Sequence, residues 1–96
     1  SNVLRSTDLM ARLGGEEFAV LLSETAVPAG IALAERLRQL VADQSVQTER
    51  GLLSVTVSVG VAGLQAEDTS FEAVLKRADA ALYKAKAAGR NQVVVG

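Results

Sequence analysis

Hydrophobic and polar residues follow different periods along this chain, and each period predicts an element. Mainly apolar segments at 9–13 and 18–23 predict two strands, and the continuous apolar run of the second predicts that it is covered on both faces. Apolar residues at three- and four-residue steps predict a helix over 28–43, with Pro28 in its first turn. From 53 to 62, Leu and Val residues alternate with small residues, which predicts a third strand.

The remaining sequence predicts a second helix that ends in a short strand. Thr69 and Glu72 have the spacing of an N-terminal capping box, and Gly89 suits the left-handed residue after a helix. An apolar stripe runs between them, and 92–95 predicts the last strand. The polar segment 44–51 predicts a loop, with a short extra strand as the open alternative.

The predicted order is therefore strand, strand, helix, strand, helix, strand. Helices that cross between strands are typical of an α/β sandwich, with the helices packed on a mixed central sheet. The small-residue face of 53–62, which includes Gly60, allows a close approach to the backbone. Close packing of a helix there is favoured over approach of a ligand.

Composition narrows the functional classes. The 96 residues allow one small domain, and 49% hydrophobic against 22% charged residues excludes a disordered chain. A formal net charge of −1 gives no electrostatic case for nucleic-acid binding. The chain contains no cysteine and no histidine, which excludes thiol catalysis, disulfides and Cys/His zinc sites. No apolar run reaches the length of a membrane span, and we expect no membrane contact by this segment.

Two glycines and two carboxylates lie between the first two predicted strands. Gly14 and Gly15 can both take a positive φ, as a two-residue hairpin turn requires. Glu16 and Glu17 follow directly and must point to different faces of the strand. The turn alone favours two solvated acids, and the alternative is a carboxylate that holds a hard cation such as Mg²⁺.

Four segments decide between these alternatives because they resemble one known family. They are 11–18 (ARLGGEEF), 34–38 (AERLR), 57–61 (VSVGV) and 78–86 (ADAALYKAK) with 89–91 (GRN). In this order and spacing they resemble the GGDEF domains, the diguanylate cyclases. One such match would be weak, but four in register are specific.

The resemblance implies that two GTP molecules are condensed into cyclic di-GMP with release of pyrophosphate. Each 3′-hydroxyl attacks the α-phosphate of the other nucleotide, so two GTP-loaded domains must face each other. It also implies Mg²⁺ or Mn²⁺ as the cofactor and a cytoplasmic location. By position, Glu16 resembles the metal-binding acid and proposed general base, and Glu17 resembles a second, supporting acid of the catalytic motif.

The same resemblance assigns substrate-binding residues. Gly14 and Gly15 would let the nucleotide lie against bare backbone. Lys86 and Arg90 resemble the basic pair that holds the triphosphate, and their spacing at a helix end lets both reach one anion. Compensation of the helix dipole is an additional role of the two cations, compatible with phosphate binding.

A second motif resembles the inhibitory product site of the family. Arg5 and Asp8 form an RxxD motif five residues before Gly14. Arg5 would contact a guanine edge or phosphate of cyclic di-GMP, and Asp8 would accept a hydrogen bond from guanine. Arg36 falls where a neighbouring domain contributes a further arginine. This placement favours an inhibitory site over a surface ion pair.

The resemblance also implies that residues 1–96 correspond to the C-terminal half, or slightly more, of a GGDEF domain. The family's upstream part contains a strand in the middle of the sheet, a metal-binding Asp and guanine-recognising residues. Without them, we expect the isolated chain to be inactive. We expect the strands at 18–23 and 53–62 either to close against each other or to be bridged by a second copy, with a homodimer or strand-mediated oligomer favoured.

Two other functions stay open at this point. The domain could have lost catalysis and act as a cyclic di-GMP receptor through Arg5 and Asp8. It could also be a structural interaction domain, which would leave the four motifs unexplained. The intact Gly-Gly-Glu-Glu-Phe segment favours the cyclase, because a receptor has no need of the turn glycines and the metal-binding acid.

Overall fold

A four-stranded mixed sheet organises the fold in the computed structural model, which describes residues 9–23 and 26–96. Its strand order is β1-β2-β5-β6, and β3 and β4 form a separate two-stranded hairpin. The elements are β1 (Leu9–Gly14), β2 (Glu17–Ser23), α1 (Val27–Ala42), β3 (Ser45–Thr48), β4 (Gly51–Ser54), β5 (Ser58–Leu64), α2 (Phe71–Ala87) and β6 (Val93–Val95). The predicted α/β sandwich with a mixed central sheet is thus confirmed.

The pairing of β2 with β5 lies at the centre of this sheet. The two strands run parallel, in a register that begins at Glu17 opposite Ser58 and ends at Ser23 opposite Leu64. β1 pairs antiparallel with β2, and β6 pairs parallel with β5. Of the two alternatives for these strands, the structure has the one in which they close against each other.

Both faces of the sheet are covered, each by one helix. Alternate residues of β2 point to opposite faces, so Ala19 and Leu21 pack with Ala62 against α2. Leu22 packs on the other face with Val59 and Val61, against the N-terminal part of α1. The prediction that the second strand is covered on both faces is confirmed.

Gly60 allows α2 to lie directly on β5. A Cβ at this position would lie 2.1 Å from the carbonyl oxygen of Ala78 and 2.4 Å from the backbone nitrogen of Leu82. Both atoms belong to the backbone of α2 and cannot move aside as a side chain could. The small-residue face of β5 therefore serves helix packing, the favoured alternative.

The predicted strand over 53–62 is wrong as a single element. Residues 51–54 instead pair with 45–48 in the β3–β4 hairpin, residues 55–57 belong to no strand, and β5 begins at Ser58. Gly51 at the hairpin turn has φ 110°, a conformation that side chains rarely adopt. The loop predicted at 44–51 contains β3, the short extra strand of the alternative.

The turn between β1 and β2 also differs from the prediction. Its two residues are Gly15 and Glu16, while Gly14 still pairs with Glu17 after an irregularity in β1. Neither Gly14 nor Gly15 has the positive φ that the hairpin argument assigned to them. The structure has an irregularity of β1 between Arg12 and Gly14 instead of the predicted positive φ angles at the two glycines.

Both helices begin and end near their predicted limits. α1 packs on the sheet only through the first half of its apolar stripe, which includes Ile31 and Ala34, whereas Leu37 and Leu40 are exposed. The N-cap of α2 is Ser70, whose side chain accepts a hydrogen bond from Ala73 N at 3.3 Å, so the prediction of Thr69 is wrong by one residue.

Asp68 and Arg77 fix the connection between β5 and α2. Two guanidinium nitrogens of Arg77 donate to the Asp68 carboxylate at 2.6 and 2.8 Å, and one also donates to Gly63 O at 2.7 Å. Asp68 accepts a further bond from Gln65 N at 2.7 Å. The Arg77 hydrogen bond, aided by the one from Gln65, lowers the pKa of Asp68 from 3.8 to about 2.

Replacement of Gly60 should test the close helix–strand contact. We expect Gly60→Ala to lower the free energy of unfolding by about 1–3 kcal/mol or more, because backbone must shift to admit the methyl group. Urea denaturation measures the change. Gly15→Ala is the matched control, since its added Cβ would meet nothing within 4 Å. Equal stability of Gly60→Ala and the unmodified chain would contradict the packing.

Removal of the Asp68 charge should change the pH dependence of stability. A carboxylate whose pKa is lower in the folded state stabilises the fold above its unfolded pKa, and this contribution disappears as the pH falls through the folded pKa. Between pH 3.8 and about 2, the free energy of unfolding should therefore fall less steeply in Asp68→Asn than in the unmodified chain. Denaturation at several pH values measures it, with exposed Asp79→Asn as control. Parallel pH curves for Asp68→Asn and the unmodified chain would refute the role.

Candidate functional site

The parallel pairing of β2 and β5 brings the β1–β2 turn close to the loop that follows α2. Ser58, at the start of β5, forms hydrogen bonds with both segments. Its backbone nitrogen donates to Glu16 O at 2.9 Å, and its hydroxyl oxygen accepts from Asn91 N at 3.2 Å. Ser58 is buried, with 3% of its surface exposed. One residue therefore links the acidic turn, through its backbone, to the segment that carries Arg90, through its side chain.

Glu17 lies between two basic residues, Lys86 at the end of α2 and Arg90 in the loop that follows. Its Oε1 is 3.2 Å from Lys86 Nζ, and its Oε2 is 3.7 Å from Arg90 Nη1. The three side chains come from β2, from the last turn of α2 and from the loop beyond it. They are partly exposed, with Arg90 at 59% the most accessible. Two cations thus converge on one anionic group at the surface.

The loop after α2 has an unusual backbone. Gly89 has φ 116°, and the next two residues, Arg90 and Asn91, have φ 64° and 51°. Side-chain-bearing residues are uncommon in this region, and asparagine is among those that tolerate it best. Arg90 N donates to Ala85 O at 2.8 Å, which closes the loop on the helix. The predicted left-handed position of Gly89 is confirmed, and the structure extends it by two residues.

An open depression lies beside the acidic turn. Its volume is about 620 Å³, and its lining residues are Gly15, Glu16, Glu17, Phe18, Val55 and Val57. The carboxylates of the turn border one side, and the two valines of the segment between β4 and β5 give the other side an apolar wall. The depression therefore has both a charged and an apolar side.

The carboxylates present fit only part of a metal site. Within residues 9–23 and 26–96, no three Asp, Glu, His or Cys side chains form a group that could hold a metal ion. Glu17 is paired with two cations, whereas the Glu16 side chain is exposed at the turn. Mg²⁺ is commonly held by one or two carboxylates together with substrate phosphates. Glu16 therefore fits as one protein ligand of an ion that a bound phosphate group would also hold.

The structure brings together some of the predicted site residues and not others. Glu17, Lys86 and Arg90 are in contact, and Gly15 and Glu16 border the adjacent depression. A Cβ at Gly14 would lie 3.4 Å from the Glu17 carboxylate, so Gly14 is next to the same group.

The predicted inhibitory site stays a prediction, because two of its three residues have no described position. Arg5 and Asp8 lie outside the described residues. Arg36 is exposed on α1.

Sequence reasoning missed three residues of this region. Ser58 and Asn91 lie within segments that carried the family resemblance but received no role, and Arg38 reaches Asn91 from α1. The signal for Asn91 was its position after Gly89-Arg90, because asparagine tolerates left-handed backbone. No comparable signal marks the contact of Arg38, which joins residues 53 positions apart.

The sequence is similar to a known protein family and to several curated proteins. The profile of the family described as "Diguanylate cyclase, GGDEF domain" matches residues 1–92. The response regulator PleD of Caulobacter vibrioides is 47% identical over 96 residues, covering 98% of this chain and 21% of PleD. Diguanylate cyclase A of Treponema denticola is 41% identical over 91 residues, covering 95% of this chain and 24% of that protein.

A solved structure is also similar. The crystal structure of the GGDEF domain of DgcB from Caulobacter crescentus, in complex with c-di-GMP, superposes with a TM-score of 0.74 at 32% sequence identity. The matched region covers 97% of this chain and 56% of that one.

This chain belongs to the GGDEF family of diguanylate cyclases. It spans less than a quarter of the length of the two curated relatives. Among the described helices, neither α1 nor α2 is long and apolar enough to cross a bilayer.

Proposed function

We propose that this chain is part of a cytoplasmic domain that condenses two GTP molecules into cyclic di-GMP. The observation that carries the proposal is the convergence of Lys86 and Arg90 on Glu17, beside the Gly-Gly-Glu-Glu-Phe turn. Family membership supports the reaction class. In each half-reaction a 3′-hydroxyl oxygen bonds to the α-phosphorus of the other nucleotide, the bond to pyrophosphate breaks, and the hydroxyl proton leaves to a base.

The basic pair supplies an anion site that already holds a carboxylate. Ammonium and guanidinium groups that hold one carboxylate also suit a phosphate oxygen, and arginine can donate two parallel hydrogen bonds to it. A triphosphate carries more negative charge than Glu17, so it can displace that side chain from the two cations. Glu17 then acts as a supporting acid that keeps Lys86 and Arg90 directed toward the turn before substrate binds.

Glu16 is proposed as the acid that acts on the reacting groups. Its side chain is exposed at the turn that borders the depression, where a nucleotide could place its phosphates and its 3′-hydroxyl. A bound Mg²⁺ or Mn²⁺ would lower the pKa of the hydroxyl and neutralise phosphate charge. In this proposal Glu16 holds the ion or accepts the hydroxyl proton, and bare Gly14 and Gly15 admit the nucleotide. Two such domains must face each other, which requires a homodimer at the moment of reaction.

Product inhibition is the regulatory part of the proposal. Arg5 and Asp8 would bind cyclic di-GMP, and Arg36, exposed on α1, would bind it from a neighbouring domain. The solved GGDEF domain of DgcB is in complex with c-di-GMP, which supports this ligand for a related domain. A pure cyclic di-GMP receptor is the second candidate, and it requires the Arg5 and Asp8 site without turnover.

The 96-residue chain by itself should be inactive. We expect no cyclic di-GMP from GTP and Mg²⁺ above the level of a Glu16→Ala control, because one accessible carboxylate is too little to arrange the ion and both nucleotides. Chromatography of the reaction mixture measures the product. Formation of cyclic di-GMP by the unmodified chain but not by the control would overturn the expectation.

In a longer protein in which this segment completes a GGDEF domain, substitutions of the different site residues should affect different kinetic constants. We expect Glu16→Ala to abolish turnover, whereas Lys86→Ala and Arg90→Ala should mainly raise KM, since they remove phosphate binding. Initial-rate measurements at varied GTP give both constants. Exposed Lys84→Ala is the matched control for Lys86. A loss confined to kcat in Lys86→Ala, with normal KM, would refute the assigned roles.

The same longer protein should be inhibited by its product through Arg5. We expect Arg5→Ala to relieve inhibition by added cyclic di-GMP while changing the initial rate little, because arginine recognises guanine and phosphate through paired hydrogen bonds. Arg50→Ala, which removes an exposed arginine in the β3–β4 turn, controls for charge. Unchanged inhibition in Arg5→Ala would make the motif a surface ion pair. Product binding without any turnover in the unmodified protein would favour the receptor.

A further inference from the structure

Arg38 connects α1 to the loop that carries Arg90. Its Nη1 donates to Asn91 Oδ1 at 2.8 Å and lies 3.5 Å from Asn91 O. On its other side Arg38 donates to Glu35, one turn back on the helix. Only 18% of the Arg38 side chain is exposed, so it is held by these partners rather than extended into solvent. These hydrogen bonds connect α1, on one face of the sheet, to the loop after α2.

The Arg38–Asn91 hydrogen bond lies next to a stretch of backbone in an uncommon conformation. Arg90 and Asn91 both have left-handed φ values, 64° and 51°. Two successive side-chain-bearing residues in this region are unfavourable and persist only where the surrounding structure holds them in place. Asn91 is fixed from two directions, by Arg38 at its side chain and by the Ser58 hydroxyl at its backbone nitrogen.

The position of Arg90 follows from these contacts. Its backbone direction is set by its own φ and by that of Asn91, and its guanidinium then lies 3.7 Å from the Glu17 carboxylate. Loss of the Arg38 contact would leave Ser58 as the hydrogen-bond partner of Asn91 and Ala85 O as that of Arg90 N, so the left-handed backbone would have less support. The Arg90 side chain would then start from a less constrained backbone and would point less often toward Glu17.

We propose that Arg38 is a positioning residue for anion binding at Lys86 and Arg90, acting through the Asn91 side chain. The proposal rests on the proposed phosphate-binding role of the two cations. Arg38 itself does not touch the anion, because its guanidinium is engaged by Asn91 and Glu35. It prepares the site by holding the backbone of Arg90 in one conformation, which lowers the ordering cost of binding.

The test measures binding of inorganic pyrophosphate to the 96-residue chain by calorimetry. We expect Arg38→Gln to weaken binding about tenfold, as expected for loss of one hydrogen bond to a charged group. Arg50→Gln removes the same charge at an exposed site and should change affinity little. Arg38→Lys, which keeps the charge and one donor, should restore part of the affinity. Asn91→Gly, which permits the left-handed backbone but lacks the acceptor, should resemble Arg38→Gln.

Backbone chemical shifts of Arg90 and Asn91 provide a second readout, because they report whether φ stays positive. We expect them to move in Arg38→Gln and to stay in place in Arg50→Gln, with urea denaturation showing that both variants fold. Equal affinities of Arg38→Gln and Arg50→Gln, with unchanged shifts, would overturn the positioning role. Absence of binding by the unmodified chain, or binding unaffected by Lys86→Ala, would instead refute the phosphate site, and the shifts would still decide the role of Arg38.

Discussion

The parallel pairing of β2 with β5 is the contact on which the rest of this structure depends. Its register places Ala19 and Ala62 on the face covered by α2 and places Glu17 opposite Ser58. A shift by one residue would turn every side chain of one strand to the other face. The core and the site would fail together, because Glu17 would then point away from Lys86. Gly60 strengthens this constraint by admitting the α2 backbone at one position of β5.

The ion pairs of the charged site, in contrast, are weak interactions. Ion pairs between partly exposed side chains contribute about 0–1 kcal/mol to stability, so Glu17 adds little to the fold by pairing with Lys86 and Arg90. For the proposed phosphate site, a weak internal partner would be an advantage, since the incoming group would replace an existing contact. The strands therefore fix the backbone positions of the site, while the charged side chains can exchange one partner for another.

The sequence predicted the helices and the mixed sheet, because apolar periodicity determines these features. The family motifs also named Glu17, Lys86 and Arg90, which the structure brings into contact. It did not predict the break at 55–57, since the alternation of apolar and small residues continues through it without a turn signal. Gly51, which has a positive φ at the turn, was the residue that could have indicated the β3–β4 hairpin. The pairing of Glu17 with both cations and the contact of Arg38 with Asn91 join distant positions, and only the assembled sheet brings them together.

Nuclear Overhauser contacts between backbone protons of β2 and β5 test the central pairing most directly. In an isotope-labelled chain, the structure predicts contacts between Ala19 and Gly60 and between Leu21 and Ala62, within one molecule. Mixing labelled with unlabelled chain separates contacts within a molecule from contacts between two copies. Intramolecular contacts for both pairs would support the closed sheet. Their absence, or their appearance only between two copies, would contradict it.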